Sequence, residues 1–140
     1  MLRLRILSVG KTKELWLEHG IEEYLKRLQN IASIDFIWAK NDEQLVTLAL
    51  KESALICMDI GGKMMDSEAF SVFLHQHLQE GGSRLSFVIG GAEGLPPQLK
   101  KGYPLISLSP MTFTHQLARL ILVEQIYRAF EIAKGSRYHK

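Results

Sequence analysis

Cysteine is nearly absent from this chain, which has only Cys57 in its 140 residues. One cysteine excludes an internal disulfide and fits a reducing cytosol, so we expect a cytoplasmic protein. No group of cysteines and histidines has the spacing of a zinc site. His75 and His77 are two residues apart, so on a helix they would point to different faces. The sequence therefore predicts no metal site.

Long apolar runs are also missing. None approaches the roughly 20 residues that a membrane-spanning helix needs, so we expect no membrane association. The first residues, MLRLRILSVG, carry charges between their apolar residues, unlike the uninterrupted core of a signal peptide. The chain has no repeat, low-complexity segment or linker. Its 46% hydrophobic and 23% charged residues suit one globular domain, residues 1–140, with a substantial core.

Several familiar catalytic and nucleotide-binding motifs are absent as well. The segment Gly90–Gly94, GGAEG, lacks the G-x-G-x-x-G spacing of dinucleotide sites and is not followed by the Lys-Ser/Thr of a P-loop. No Ser-His-Asp or Cys-His arrangement can be identified. Taken alone, a glycine turn after a strand is more often structural than functional.

What the sequence does contain is a regular alternation of strand and helix patterns. Nearly continuous apolar runs are typical of strands that are buried on both faces of a parallel sheet. The sequence predicts an α/β fold with a mostly parallel five-stranded sheet and helices on both faces. Strands are predicted near residues 2–9, 34–38, 54–58, 85–89 and 105–108. Helices are predicted after an N-cap at Thr12, from Asn41 or Asp42 to about Lys51, from Asp66 to Gly81, near Pro97–Lys101, and from about His115 to Lys134.

Three of these strands end in loops of small and polar residues. Ligands of open α/β sheets bind beyond the carboxyl ends of the strands, and glycine lets a backbone approach a ligand closely. We therefore expect a ligand site where these loops meet. The loops are Asp59–Lys63 after Met58, Gly90-Gly91 after Ile89, and Ser109–Thr112 after Leu108.

The last predicted helix, His115–Lys134, is apolar on nearly all sides, which favours burial and a subunit interface. Arg119 lies on its apolar stripe and needs a partner, because an unpaired buried charge is costly. An ion pair across a dimer contact and a ligand role are equally open. Residues 115–140 carry five basic side chains against two acidic ones, which fits either a polyanion partner or a solvated tail.

The end of the chain, Gly135–Lys140, would usually be a frayed terminus. It nevertheless joins an aromatic ring, an imidazole and two cations, which suit stacking on a base and contact with phosphate.

Together, three segments closely resemble the RlmH family, which are SPOUT-superfamily methyltransferases of large-subunit ribosomal RNA. These segments are FVIGGAEG, ISLSPMTFTHQLARLILVEQIYRAF and the final KGSRYHK. The resemblance extends from end to end and includes the VGK turn near the N-terminus. The chain departs from the family at Thr114, where Pro usually precedes the histidine, and between Trp38 and Lys51, where many members have an insertion.

The resemblance implies a C-terminal trefoil knot and a homodimer whose active site lies near the subunit interface. It implies S-adenosylmethionine as cofactor, with S-adenosylhomocysteine as product, and no metal. The cofactor would lie in the knot against Met58, Gly90, Gly91, Leu108, Ser109, Pro110, Met111, Thr112, Phe113 and Thr114.

The implied substrate is a pseudouridine of 23S rRNA, methylated at ring nitrogen 3 on the assembled 70S ribosome. Tyr138 and His139 would order over the target base, with Glu124 and Arg128 supporting the site. RNA contacts are implied for Arg119, Arg137 and Lys140, and for Arg119 the other subunit is an alternative. Whether His139 or water is the base stays open, as do two other functions. These are a non-catalytic ribosome-binding module of the same fold and an enzyme that binds nucleotide phosphate at its glycine loop.

Overall fold

Strands and helices alternate along the chain, as predicted. The computed structural model describes all residues, 1–140. A single 3₁₀ turn lies at Pro97–Leu99. The other elements are β1 (Leu2–Val9), α1 (Leu15–Leu28), β2 (Ala32–Ala39), α2 (Asp42–Ala49), β3 (Leu55–Met64), α3 (Ser67–Glu80), β4 (Arg84–Ile89), β5 (Leu105–Ser107) and α4 (His115–Lys134).

All five strands belong to one sheet with the order β2-β1-β4-β3-β5. Every pair of neighbouring strands is parallel, which confirms the predicted parallel sheet. The inner strands β1, β4 and β3 have more buried residues than the edge strands β2 and β5, because both of their faces are covered. Ile6, Phe87 and Ile56, one on each, are completely buried.

Helices cover both faces of the sheet, also as predicted. On one face, α1, α3 and α4 enclose the larger part of the core, which includes Ile6, Phe87 and Leu122. On the other face, α2 and the 3₁₀ turn cover a smaller cluster around Leu7 and Leu45. No helix is both long and apolar enough to span a bilayer.

Helix α4 packs against both α1 and α3, which explains why apolar residues nearly surround it. Its contact with α1 is close at Gly20, where a Cβ would lie 3.3 Å from Leu120 Cδ1. A glycine inside a helix costs roughly 1 kcal/mol relative to alanine. This close contact accounts for the glycine in α1.

The prediction that Thr12 caps α1 was wrong. The helix begins at Leu15, and Glu14 precedes it without a side-chain cap. Thr12 Oγ1 instead accepts a hydrogen bond from Arg119 Nη1 at 3.1 Å. Thr12 therefore bonds to a residue more than a hundred positions away instead of capping α1.

The prediction that the third strand ends at Met58 was also wrong, since β3 continues to Met64. Both Met58 and Lys63 lie opposite Ile106 of β5, so residues 59–62 bulge out of the ladder. Gly62 allows the strand to return, because a Cβ there would lie only 2.7 Å from the Ile106 nitrogen. The sequence Asp-Ile-Gly-Gly resembles a turn but here forms a bulge within a strand.

Candidate active site

A cavity of about 190 Å³ opens at the carboxyl edge of the sheet, beside the ends of β4 and β5 and the bulge of β3. The three predicted loops therefore meet in one place. Cofactor binding in this cavity stays a prediction. Of the ten residues predicted to bind the cofactor, eight line it, namely Met58, Gly90, Gly91, Leu108, Ser109, Met111, Thr112 and Phe113.

The other two predicted residues, Pro110 and Thr114, do not line the cavity. Thr114 caps α4, because its Oγ1 accepts a hydrogen bond from Leu117 N at 3.2 Å. Other lining residues were not among the predicted cofactor contacts, including His115 and Asp59, although Asp59 belongs to one of the three predicted loops. Asp59 could have been found, since it is a carboxylate that follows a buried strand directly.

Serine hydroxyls hold the wall between β5 and α4. Ser107 Oγ donates to Ser109 O at 3.0 Å and accepts from Ser109 N at 3.3 Å. Ser109 Oγ then accepts from Met111 N at 2.9 Å. Short bonds of this kind between a side chain and nearby backbone stabilise turns. This wall is therefore formed without help from a ligand.

The glycine turn after β4 forms another wall. Gly94 N donates to Gly91 O at 2.9 Å, and a Cβ on Gly90 would overlap the Gly94 carbonyl oxygen. The turn itself therefore requires glycine at position 90. A Cβ on Gly91 would meet only the side chain of Val9, at 3.4 Å. Gly91 is thus not required by packing, and it lies at the cavity wall.

The residues that line the cavity offer no cation to a phosphate. The lining residues include Asp59 but no lysine or arginine. The Asp59 side chain is 16% exposed, and the nitrogen of Lys100 lies 4.0 Å from it. Burial, together with the charges of Arg119 and Lys13, lowers the pKa of His115, so its imidazole is neutral at pH 7. A phosphate site normally offers cations, which this cavity lacks.

The four residues predicted to be catalytic, Glu124, Arg128, Tyr138 and His139, lie together on α4 and the chain end, and we call them the C-terminal cluster. Arg128 Nη2 forms an ion pair with Glu124 Oε2 at 2.8 Å. Tyr138 Oη donates to the same oxygen at 2.7 Å, and the Arg128 guanidinium lies 4.8 Å from the Tyr138 ring centre. The chain end is therefore folded back on α4 rather than frayed.

The hydrogen bonds of this cluster define its donors and acceptors. Arginine can only donate, so His139 Nδ1 accepts from Arg128 Nη1 at 3.1 Å, and its other ring nitrogen faces Glu68 Oε1 at 3.4 Å. Burial, with hydrogen bonds to Tyr24 and Glu124, raises the pKa of Tyr138. The hydrogen bond to Glu124 raises the pKa of Arg128. Tyr138 therefore remains a donor and Arg128 a cation.

Within one chain, the cavity and the C-terminal cluster are separated. Ala118 is the last residue of α4 that lines the cavity. Glu124 and Arg128 are six and ten residues further along the helix, or roughly 9 and 15 Å at the rise of an α-helix. Reacting groups must come within about 3–3.5 Å of each other. Within one chain, the backbone positions of the cavity and of the cluster are therefore well separated along α4.

Comparison with known proteins identifies the family. A family model described as "Predicted SPOUT methyltransferase" matches residues 2–139. The chain is 59% identical, over 100% of both chains, to Ribosomal RNA large subunit methyltransferase H of Protochlamydia amoebophila. The chain belongs to the RlmH family of SPOUT methyltransferases. It is also 40% identical to the protein of that name from Geotalea daltonii, with 99% of each chain covered.

Among solved structures, this SPOUT methyltransferase matches the crystal structure of TrmJ from Z. mobilis with a TM-score of 0.51. The match covers 92% of this chain and 70% of that chain at 11% identity. At that identity the match shows the fold alone. The fold therefore agrees with the family that the sequence comparisons establish.

Arg119 of this SPOUT methyltransferase was predicted to contact RNA. Its side chain is completely buried and cannot reach RNA. All five of its N–H donors have partners within the chain, namely Ser8 Oγ, Thr12 Oγ1, Gln116 Oε1, Val9 O and Gly10 O. Its guanidinium also lies 4.7 Å from the Trp38 ring centre, and burial lowers its pKa to about 10. Arg119 therefore joins α4 to the turn after β1, and no ion pair with a second subunit is needed. Of the other predicted RNA contacts, Arg137 and Lys140 are exposed and stay predictions.

We expect Arg119→Met to lower the free energy of unfolding by about 3 kcal/mol, because buried oxygens lose their donors. Chemical denaturation monitored by circular dichroism measures the change. Arg119→Lys should lose less, since it keeps the charge and three donors. Arg27→Met is the matched control on an exposed arginine and should change stability little. A loss for Arg119→Met no larger than for this control would contradict the role of Arg119.

Proposed function

We propose that this chain transfers a methyl group from S-adenosylmethionine to 23S rRNA, at ring nitrogen 3 of a pseudouridine in the assembled 70S ribosome. The reaction would take place in the cytoplasm. The observation that carries the proposal is the single cavity formed by three loops at the carboxyl edge, with one carboxylate and no cation. The relatives are named as methyltransferases of large-subunit ribosomal RNA, which supports RNA as the substrate class.

The groups around the cavity suit S-adenosylmethionine. Ile89, Leu95 and Leu108 offer apolar contacts, and Asp59 offers a carboxylate to a ligand that carries ammonium and sulfonium charges. Gly91 adds no side chain to the wall. When bound, S-adenosylmethionine supplies an electrophilic methyl group. A nucleotide phosphate would lack a cation here, which disfavours the nucleotide-binding alternative.

The proposed enzyme is a homodimer in which the C-terminal cluster of one subunit completes the cavity of the other. The separation along α4 supports this arrangement, because one subunit does not bring the two halves together. Leu15 and Trp16, in the first turn of α1, are 69% and 62% exposed. They lie near the cavity end of α4, since Lys13 N donates to Gln116 Oε1. Exposed apolar groups of this kind mark interaction surfaces.

The C-terminal trefoil knot that the family resemblance implies is part of the same proposal. It would hold the segment between β5 and α4 against the glycine turn. The serine hydroxyl bonds at Ser107 and Ser109 support a rigid wall at this point. A preformed wall reduces the entropy that ligand binding must overcome.

The C-terminal cluster would prepare the acceptor base. The pseudouridine ring N–H must lose its proton before the nitrogen can attack, and a nearby positive charge stabilises the resulting anion. Arg128, kept cationic by Glu124, provides this charge. Tyr138 and His139 would order the base by stacking and hydrogen bonding. His139 Nδ1 could take the proton once Arg128 turns from it to the base, and water is the other acceptor.

Methyl transfer from radiolabelled S-adenosylmethionine to ribosomes tests the proposal. We expect incorporation into 23S rRNA of unmodified 70S particles and little into isolated rRNA, with the product mapped to N3 of a pseudouridine. Calorimetry should show cofactor binding to the protein alone. Ribosome binding without methyl incorporation would instead support the non-catalytic module. Absence of cofactor binding by the folded dimer would rule out the methyltransferase.

A further inference from the structure

A second cavity, of about 300 Å³, lies at the opposite, amino edge of the sheet. Four cations line it, Arg3, Arg5, Lys51 and Arg84, together with a single carboxylate, Glu52. Arg3 and Arg5 alternate along β1 with Leu4 and Ile6, which belong to the larger core. The arginines therefore project from the face that carries α2. We call this feature the amino-edge cavity.

Two of these arginines are direct neighbours. Arg3 of β1 and Arg84 of β4 are register partners in the parallel ladder, so their side chains leave the sheet side by side. Like charges in directly opposite positions destabilise a sheet. None of the ion pairs in the structure involves Arg3, Arg84 or Lys51. The fold therefore carries a concentration of positive charge that its own carboxylates do not offset.

Glu52 does not neutralise this group. Its Oε2 lies 3.2 Å from Arg5 Nη1 in an ion pair, and its Oε1 accepts from Ser86 Oγ at 2.6 Å. Glu52 is thus engaged by Arg5 and Ser86 at the wall. Three exposed cations, Arg3, Lys51 and Arg84, remain around the cavity without a counter-charge.

We propose that the amino-edge cavity binds the phosphodiester backbone of ribosomal RNA, as a contact remote from the methyl-transfer site. This inference rests on the proposed function, which gives ribosomal RNA as the binding partner. Unpaired cations around a concavity complement phosphate oxygens. The cavity has no aromatic lining residue on which a nucleobase could stack, so it suits the backbone of a long RNA better than a free nucleotide.

The position of the cavity defines which RNA it contacts. β1 has eight residues and is therefore roughly 26 Å long at the rise of a parallel strand. The amino-edge cavity and the cofactor cavity lie at its two ends. The phosphates bound here belong to a segment some distance from the target base, and contribute to affinity for the ribosome rather than to the chemical step.

The double substitution Arg3→Gln with Arg84→Gln tests the proposal, because it removes two charges and keeps polar side chains of similar shape. At physiological salt we expect KM for 70S ribosomes to rise roughly tenfold, and the slope of log affinity against log salt to fall by about 1.5. The kcat at saturating ribosomes and the affinity for S-adenosylmethionine should not change. The melting temperature should be kept or raised, because the like-charge pair is relieved.

The control is Lys26→Gln with Lys40→Gln, which changes the net charge equally at exposed positions outside both cavities. It should bind ribosomes as the wild type does. Direct ribosome binding by sedimentation, without cofactor, makes the result independent of catalysis. If wild-type protein methylates ribosomes but the arginine variant binds them as the control does, the inference is wrong and the proposed function stands.

Two further outcomes are informative. If wild-type protein transfers no methyl group, the proposed function fails, and equal sedimentation of wild type and arginine variant would overturn the amino-edge contact as well. If millimolar inorganic phosphate raises the melting temperature of the wild type but not of the arginine variant, and ribosome affinity is equal, the cavity is a small-anion site. That result also overturns the RNA contact.

Discussion

Deletion of Tyr138–Lys140 is expected to reduce methyl transfer to ribosomes by about a thousandfold or more, with little change in the affinity for S-adenosylmethionine. Loss of substrate positioning and of proton transfer each costs on the order of a hundredfold or more. The deletion removes both Tyr138 and His139 from Arg128. The cofactor cavity contains no residue of the chain end, so binding there should persist.

Single-turnover methyl transfer and calorimetry with the cofactor measure the two effects separately. Tyr138→Phe is a finer variant, since it keeps the ring over Arg128 but loses the 2.7 Å hydrogen bond to Glu124, and should retain more activity than the deletion. Lys26→Ala is the control at an exposed position outside the C-terminal cluster and both cavities. Equal loss of activity and cofactor affinity in the deletion would contradict the separate roles of the two sites, namely cofactor binding in the cavity and preparation of the acceptor base by the C-terminal cluster.

Substitution of Gly91 by valine is expected to weaken S-adenosylmethionine binding on the order of a hundredfold, with the fold intact. The backbone at Gly91 has no positive φ, and a Cβ there would contact Val9 at 3.4 Å, so the turn can accept a side chain. The branched group adds volume at the cavity wall, and overpacking of a well-formed site costs about 1–3 kcal/mol, where 1.4 kcal/mol is tenfold in affinity.

Gly91→Ala is the matched control, and should bind the cofactor with an intermediate affinity because it adds a single methyl group. Circular dichroism and the melting temperature check that both variants fold. Cofactor binding by Gly91→Val at the wild-type level would mean that the cavity beside the glycine turn is not the cofactor site.

Much of the fold was predictable from local sequence. Continuous apolar runs identified the buried strands. Asn41, one of two predicted starts of α2, and Asp66, the predicted start of α3, are the N-caps of these helices. These features depend on residues a few positions apart. The bulge of β3 was not predictable in this way, since Gly62 is required by its approach to the backbone of β5, more than forty residues later.

In the candidate site, too, the features that depend on nearby residues were predictable and those that depend on distant contacts were not. The loops that form the cavity follow directly from where the strands end in a parallel sheet. The environment of Arg119 does not, because four of its five bonds go to the end of β1 and the turn that follows it. From sequence alone, a charge on an apolar stripe indicates only that a partner is needed. Either neutral oxygens or a carboxylate could have been that partner. In this structure all the partners of Arg119 are neutral hydroxyl, amide or carbonyl oxygens.

A mixed-dimer experiment tests most directly whether two chains share each active site. Gly91→Val subunits have an intact C-terminal cluster, whereas subunits that lack Tyr138–Lys140 have an intact cavity, and each homodimer should be inactive. After mixing and subunit exchange, a dimer with one subunit of each kind has one complete site. We predict recovery of about a quarter of wild-type methyl transfer, since about half of the dimers are mixed and each has one of two sites. Mixtures that remain as inactive as the separate variants would show that cavity and cluster act within the same chain, and would contradict the shared site.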